Sequence, residues 1–438
     1  MSKTKTASWI GTGIITALVA GQAMAADVGN GYQLKTKSRL VHFDREYENP
    51  TNDRSQSAFA ITADWTSPRF GDWIGFGVSP YFVEDLHAGG RVREDVLAVK
   101  DDKAQGFALL GQAFVTLTPS DNLAIKLGRQ THKSMLLSSS GSRAVPNTFQ
   151  GLNTQFHINN NISLFGAVYD KWSPRASDSF EGFATDQSRQ GDIDFVSVVG
   201  IGYRLDTFQA DMEYLSAKDY LSKLGLRVSN RTSFDGSSLK LTAGLFTSAD
   251  NGNLFVTGAE GGDLDDEDAT GSVAGVTDSE NNGLGAYIEA QWAVNNLELT
   301  AAVSKFDDLW IEDNFSGDHG TNPFPTRSRI GPDVANTNET AVMLALKYDW
   351  KDYVPGLQTT VAAGQGWDAE NSANRSLGSA DEDWRELVVG YKVPAIKGLK
   401  FKAIWHDYNS DEVGSVDGVK PDQTDVRLYL DYSYAFNF

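Results

Sequence analysis

From about residue 32 to the C-terminus the chain repeats one unit, a segment of about ten residues in which apolar and polar side chains alternate. Phe59, Ile61, Ala63 and Trp65 alternate with Ala60, Thr62 and Asp64. Leu399, Phe401, Ala403 and Trp405 alternate with Lys400, Lys402 and Ile404, and Val426, Leu428, Leu430, Tyr432 and Tyr434 with Arg427, Tyr429, Asp431 and Ser433. Period two is the repeat of a strand, whose successive side chains point to opposite faces. The connections alternate as strictly as the residues. Tight ones fall at Pro68–Asp72, Pro119–Asn122, Asn159–Asn161, Leu205–Asp206, Phe234–Gly236, Val294–Asn296, Lys351–Gly356 and Pro394–Gly398, built largely from the Gly, Pro, Asn and Asp that turns require. Between them lie polar segments, most of them long: 45–56, 85–105, 131–147, 173–192, 217–222, 249–282, 307–338, 368–383 and 409–423.

Eight short and nine long connections join eighteen strands, an even number that leaves both ends of the sheet on the short-turn side. A soluble sandwich would also alternate. Strands of this length, with aromatic ends and unequal connections, point instead to an all-β fold: a transmembrane antiparallel β-barrel with short periplasmic turns and long extracellular loops. The last strand, with Tyr429, Tyr432, Tyr434 and Phe436, runs to Phe438. A terminal aromatic strand of this kind is what the barrel-assembly machinery reads.

The N-terminus fits export. Met1–Lys5 carries two lysines and no acid, Trp9–Ala20 is mainly apolar, and Ala23-Met24-Ala25 offers a small-residue cleavage site. The stretch is shorter than a membrane anchor needs. The expected organisation is a signal peptide over 1–25 and one barrel domain over 26–438. The first strand follows so closely that no plug domain fits before it. Beyond residue 25 no run of about 18 apolar residues occurs, so only strands are left to cross a membrane.

The charge is acidic, −20 overall, which disfavours nucleic acid as a partner because phosphates need a basic footprint. There is no cysteine, hence no disulfide frame and no thiolate metal site. The acidic run Asp263–Asp268, with Asp278 and Glu280, lacks the residue order of a calcium loop and reads as a solvated loop, so neither metal nor cofactor is expected. A barrel hydrolase would need a nucleophile–base pair, yet His42, His87, His132, His157, His319 and His406 stand in no catalytic spacing. His406 reads as a residue of the membrane interface. An adhesive surface protein remains the other class, although loops are the default furniture of any barrel. Lipid-facing and partner-facing apolar residues look alike, so a monomer and a loose trimer are both compatible.

Against this acidic background one set of cations is ordered. Lys35, Lys37 and Arg39 share a face of the first strand, Arg427 lies on the last, which a closed barrel pairs with the first, and Lys400 and Lys402 lie on the strand before it. Charge on the lipid face costs about 2–4 kcal/mol near mid-membrane, so these six belong to the lumen. One reading makes them a track whose field concentrates solute carboxylates. The other has them pair with lumenal acids such as Asp64, Glu213 or Asp431 and hold the wall. Aromatic lumen residues such as Tyr169 would instead stack sugars.

Several segments, in order and spacing, resemble the OprD family of outer-membrane specific porins. Gly141-Ser-Arg-Ala-Val-Pro-Asn-Thr-Phe-Gln-Gly151 is similar to the family's Ser-Arg-Leu-Leu-Pro-Gln-Thr-Phe-Gln-Gly signature at the end of the third loop, with Ala144-Val145 in place of the Leu pair. Asn338-Glu339, Tyr348-Asp349, Val354–Leu357, Gly364, Gly366, Glu386, Gly398–Lys400, Asp425–Arg427 and Asp431-Tyr432 follow its C-terminal half. The resemblance implies eighteen strands, a third loop folded into the lumen and a basic ladder along one wall. Most members pass carboxylate-bearing nutrients, and a branch passes chito-oligosaccharides. It also directs attention to Arg143, with Ser140 and Ser142, as constriction residues, since a guanidinium can grip a carboxylate in two bonds. The structural alternative is that Arg143 pins the loop to the wall, while Pro146 and Phe149 read as loop anchors.

Overall fold

The computed structural model describes residues 31–185, 193–252, 254, 282–307, 310, 315, 321–370, 378–411 and 419–438. The proposed leader, the acidic run Asp263–Asp268, Asp278, Glu280 and His319 lie outside the described residues. Eighteen long strands form one closed antiparallel sheet: β1 (Gln33–Tyr47), β2 (Arg54–Thr66), β3 (Ile74–Gly90), β4 (Phe107–Ser120), β5 (Leu123–Gln130), β6 (Thr148–His157), β7 (Ile162–Ser173), β8 (Val196–Leu205) and β9 (Phe208–Ala217) make one half. The other half is β10 (Leu221–Phe234), β11 (Ser237–Asp250), β12 (Asn282–Val294), β13 (Leu297–Phe306), β14 (Thr340–Asp349), β15 (Leu357–Glu370), β16 (Ser379–Lys392), β17 (Leu399–Ser410) and β18 (Gln423–Asn437). A two-residue strand, Glu181–Gly182, adds to the outer end of β7, and Ala98–Lys100 pairs with Lys103–Gln105 in a separate small hairpin.

Closure is by β1 against β18, in register from Gln33↔Asn437 to Tyr47↔Gln423. A closed sheet leaves no edge, so every strand satisfies its backbone polar groups without water, as the hydrocarbon interior of a bilayer demands. The alternation sets the two faces. Leu428, Leu430 and Tyr432 of β18 are outward and about two-fifths exposed, whereas Arg427 (7%) and Tyr429 (2%) point inward and are buried. A one-residue slip would exchange the faces and put Arg427 in lipid, which fixes the register. Pro80, which cannot donate to a ladder, sits where the β3–β4 register shifts between Ser79 and Pro80.

The lumen is not uniformly polar. Alternation taken strand by strand assigns apolar side chains to the lipid, yet a core fills much of the barrel's interior towards the loops. Val41, Phe43, Tyr81 and Tyr429 of the wall pack with Val96, Leu97, Ala144, Val145 and Ile330 of the loops. On the other side Phe149, Tyr169, Trp172, Phe183, Phe246 and Phe324 belong to a second cluster. The long connections fold inward and bury apolar surface against the inner wall, at about 25 cal/mol per Å² removed from water.

The third loop, 131–147, leaves and re-enters the sheet at two facing glycines, Gly128 and Gly151. Both have positive φ (116° and 155°), and a Cβ would come within 2.2 Å of the Ala113 carbonyl oxygen and 2.1 Å of that of Val168. Only glycine fits there, which gives a physical reason for the final Gly of the Thr-Phe-Gln-Gly motif.

Candidate functional site

The third loop is held on both sides of the barrel. At β9 the Glu213 carboxylate accepts the backbone N–H groups of Met135 (2.7 Å) and Leu136 (3.1 Å). On the opposite wall Arg39 donates from Nη1 to the carbonyls of Gly141 (2.7 Å) and Arg143 (2.6 Å), and the Tyr429 hydroxyl donates to the Ser142 carbonyl (2.7 Å). In an eighteen-stranded barrel β9 stands eight strands from β1 and nine from β18, about half the circumference, so the loop crosses the lumen and narrows it. Internally, Asn147 Oδ1 accepts from Ser140 N (2.6 Å), and the Ser140 and Ser142 hydroxyls hydrogen-bond each other (3.0 Å).

Facing the third loop is residues 321–339, which the sequence presents only as a long polar connection. Its Ile330 carbonyl is gripped by Arg45 (3.2 Å) and Arg427 (3.0 Å), and its Thr326 carbonyl accepts from Trp384 Nε1 (3.2 Å). Phe324 fills the space above Gly285, where a Cβ would lie 2.3 Å from its ring. Between the two loops and the wall from β9 to β17 lies a cavity of about 750 Å³. Seven cations border it (Lys133, Arg227, Lys240, Arg327, Arg329, Lys347 and Lys402) against three carboxylates (Glu289, Glu298 and Glu386). In a protein of net charge −20 the pore lining is thus locally basic.

The six cations singled out in sequence do line adjacent strands. Pairing places Arg39 opposite Asp431, Asp431 opposite Lys400, and Lys402 opposite Tyr429. Their surroundings differ. Lys35 and Lys400 are exposed, towards the periplasmic end. Lys37 lies 3.6 Å from Asp431. Arg39 is buried and clasps Asp431 through Nε and Nη2 (2.7 and 2.9 Å), a two-bond charge-assisted pair. Arg427 is buried and engages Asp425 (3.0 and 2.8 Å). Of the six, Lys402 borders the cavity, its ammonium 4.3 Å from the centre of the Tyr429 ring. The acid Asp431 named in sequence is therefore a partner of the ladder, Glu213 is a loop anchor, and Asp64 faces Lys35 in the β1–β2 register.

Ser140 borders the cavity. Ser142 lies behind it, accepting from Arg175 Nη1 (2.8 Å), and Arg143 reaches the neighbouring loop, where it donates to the Glu94 carbonyl. Phe149 is 1% exposed within the aromatic cluster, as an anchor should be. Two expectations need correction. Tyr169 is fully buried, its ring tilted against Phe149 at a centroid distance of 5.1 Å and its hydroxyl hydrogen-bonded to His132 (2.9 Å), so it presents no face to a solute. His406 is no membrane-interface residue: it shares the inward parity of Lys402 and is buried beneath Gly331, beside Trp384. The sequence missed Arg227, Lys240 and Lys347, although Lys223, Arg227 and Arg231 already recur on one parity of their strand. Arg327 and Arg329 carried no such signal, because only the folding of their loop brings them to the pore.

The chain matches the family model "outer membrane porin, OprD family" over residues 28–436. No match was found among curated proteins. Among solved structures it is similar to Pseudomonas aeruginosa OpdK with vanillate, at 16% identity and a TM-score of 0.76, covering 93% of this chain and 100% of that one. It is also similar to P. aeruginosa OccK9 (OpdG), at 20% identity and a TM-score of 0.78 over 93% and 100%, and to Acinetobacter baumannii OccAB4, at 16% and 0.78 over 94% and 100%.

Proposed function

Because the chain belongs to the OprD family of outer membrane porins, we propose that it is a passive channel preferring small anionic solutes, carboxylates above all. The observation that carries this is the cavity between the two inward loops, with its excess of seven cations over three carboxylates. Such a lining raises the local concentration of anions and guides them through by repeated exchange of partners. The hydroxyls of Ser138, Ser139 and Ser140, on the same lip, supply neutral donors along the way. The similar structure that holds vanillate supports an aromatic carboxylate as a candidate solute. Under the same proposal the leader is removed at export and the last strand guides barrel assembly.

The test is single-channel recording of the refolded protein in a planar bilayer. A salt gradient should give an anion-selective reversal potential, and added vanillate should block or modulate the current from the millimolar range downwards, the weak binding a transport channel requires. Cation selectivity with indifference to carboxylates would remove the proposal. Block by oligosaccharides alone would transfer the protein to the family's sugar-passing branch.

A further inference from the structure

Glu339, at the end of the inward segment 321–339, and Glu382 of β16 are 0% and 2% exposed and lie within hydrogen-bonding reach of each other. One side-chain amide serves both: Asn336 Nδ2 donates to Glu339 Oε2 (2.9 Å) and Glu382 Oε1 (2.9 Å), while Asn336 N adds a bond to Glu339 Oε2 (2.8 Å). Tyr408 of β17 donates to Glu382 Oε2 (2.6 Å). Among the described residues no donor reaches Glu339 Oε1 and no ion pair involves either carboxyl. Gly366 of β15 backs this oxygen so closely that a Cβ there would lie 1.8 Å away. The other charged or titratable groups around the pair are Asp333 on the same segment, Lys420 beyond Tyr408, and Lys305 and Glu370, both bonded to Asn338.

Two buried carboxyls this close cannot both be ionised, and one must keep a proton. We propose that a proton shared between Glu339 and Glu382 latches segment 321–339 into the lumen, so that the channel opens wider as external pH rises. The pair joins that segment to β16 directly and to β17 through Tyr408. Its loss would release one lip of the cavity, which Arg329 and Phe324 of the same segment help to form. Burial, and then the neighbouring Glu382, hold the Glu339 carboxyl well above its ordinary range. For a raised carboxyl the sign is fixed: the latch is fully made at acid pH and weakens as pH climbs past the ordinary value towards the raised one. This concerns gating and applies whichever solute passes.

The experiment is recording from the full-length barrel in a bilayer, stepping the loop-side solution from about pH 5 to about pH 9, a range that begins just above the ordinary carboxyl value. A wider conductance state should gain occupancy reversibly, by up to about tenfold per pH unit between the ordinary carboxyl value and the raised one, and then level off. Glu339→Gln supplies a permanent amide donor and should abolish the response, holding the narrow state throughout. Gly366→Ala should drive Glu339 from its seat and give the wide state at every pH. A pH-independent wild type would overturn the latch. So would a response that survives in Glu339→Gln, or one that follows calcium and chelator in place of pH, since a cation would then hold the pair.

Discussion

Glu213→Ala is expected to produce a channel of larger and less steady conductance than the wild type, with its fold intact. The Glu213 carboxylate is the acceptor for the amides of Met135 and Leu136, at the point where the third loop meets β9. Truncation leaves two buried N–H groups without a partner, at about 1–3 kcal/mol each. A loss of that size raises the fraction of time the loop is detached by tenfold or more, since about 1.4 kcal/mol is a factor of ten. The strand itself keeps its ladder to β8 and β10, so the barrel should still resist denaturation in detergent. Arg39→Ala should act on the opposite anchor and cost more. It frees two loop carbonyls and takes from Asp431 its two-bond partner, leaving Lys37 at 3.6 Å, and hydrogen bonds to charged groups contribute about 1.5–3 kcal/mol each. Single-channel traces and the heat-shift of the barrel on gels would check both. A Glu213→Ala channel indistinguishable from wild type would mean that the aromatic cluster and the Arg39–Tyr429 side hold the loop without it.

Neutralising Arg227, Lys240 and Lys402 together to Gln should lower the anion-to-cation permeability ratio by roughly tenfold, the lower end of what field focusing in a cleft achieves. The reason is arithmetic on the lining: a set of seven cations and three carboxylates becomes four and three, nearly balanced. The effect should be largest at low salt and shrink towards molar salt, where the screening length falls from about 10 Å at 0.1 M to about 3 Å. Arg39 and Arg427 are left out deliberately. Both are buried against a carboxylate and loop carbonyls, so their removal changes loop position along with charge. An unchanged reversal potential in the triple variant would show that the cavity cations are neutralised by their surroundings and do not select.

Much of the architecture was legible because it is written in local repeats. The alternation of Leu428, Leu430 and Tyr432 with Arg427, Tyr429 and Asp431 sets inside and outside residue by residue, and the turn residues set the strand count. The ladder cations were legible for the same reason, as charges on one parity of three strands that closure makes neighbours. Their roles were not. Whether a lumenal cation faces the solute or a loop depends on what else occupies the lumen. Arg39 and Lys402 have the same parity and nearly the same height, yet Arg39 meets Gly141 and Arg143 while Lys402 borders the open cavity.

The sequence by itself determined the closed eighteen-stranded sheet, its lipid face and the side of the wall to which each charge belongs, because a strand's period and a bilayer's intolerance of unpaired polar groups act on consecutive residues. Only the tertiary structure decided where the pore runs. The third loop and segment 321–339 enter the lumen through contacts far apart in the chain, Glu213 with Met135, Arg427 with Ile330, Glu339 with Glu382. No local pattern encodes such contacts. They arise when long polar-looking loops find a partly apolar inner wall, and the gap they leave becomes the channel.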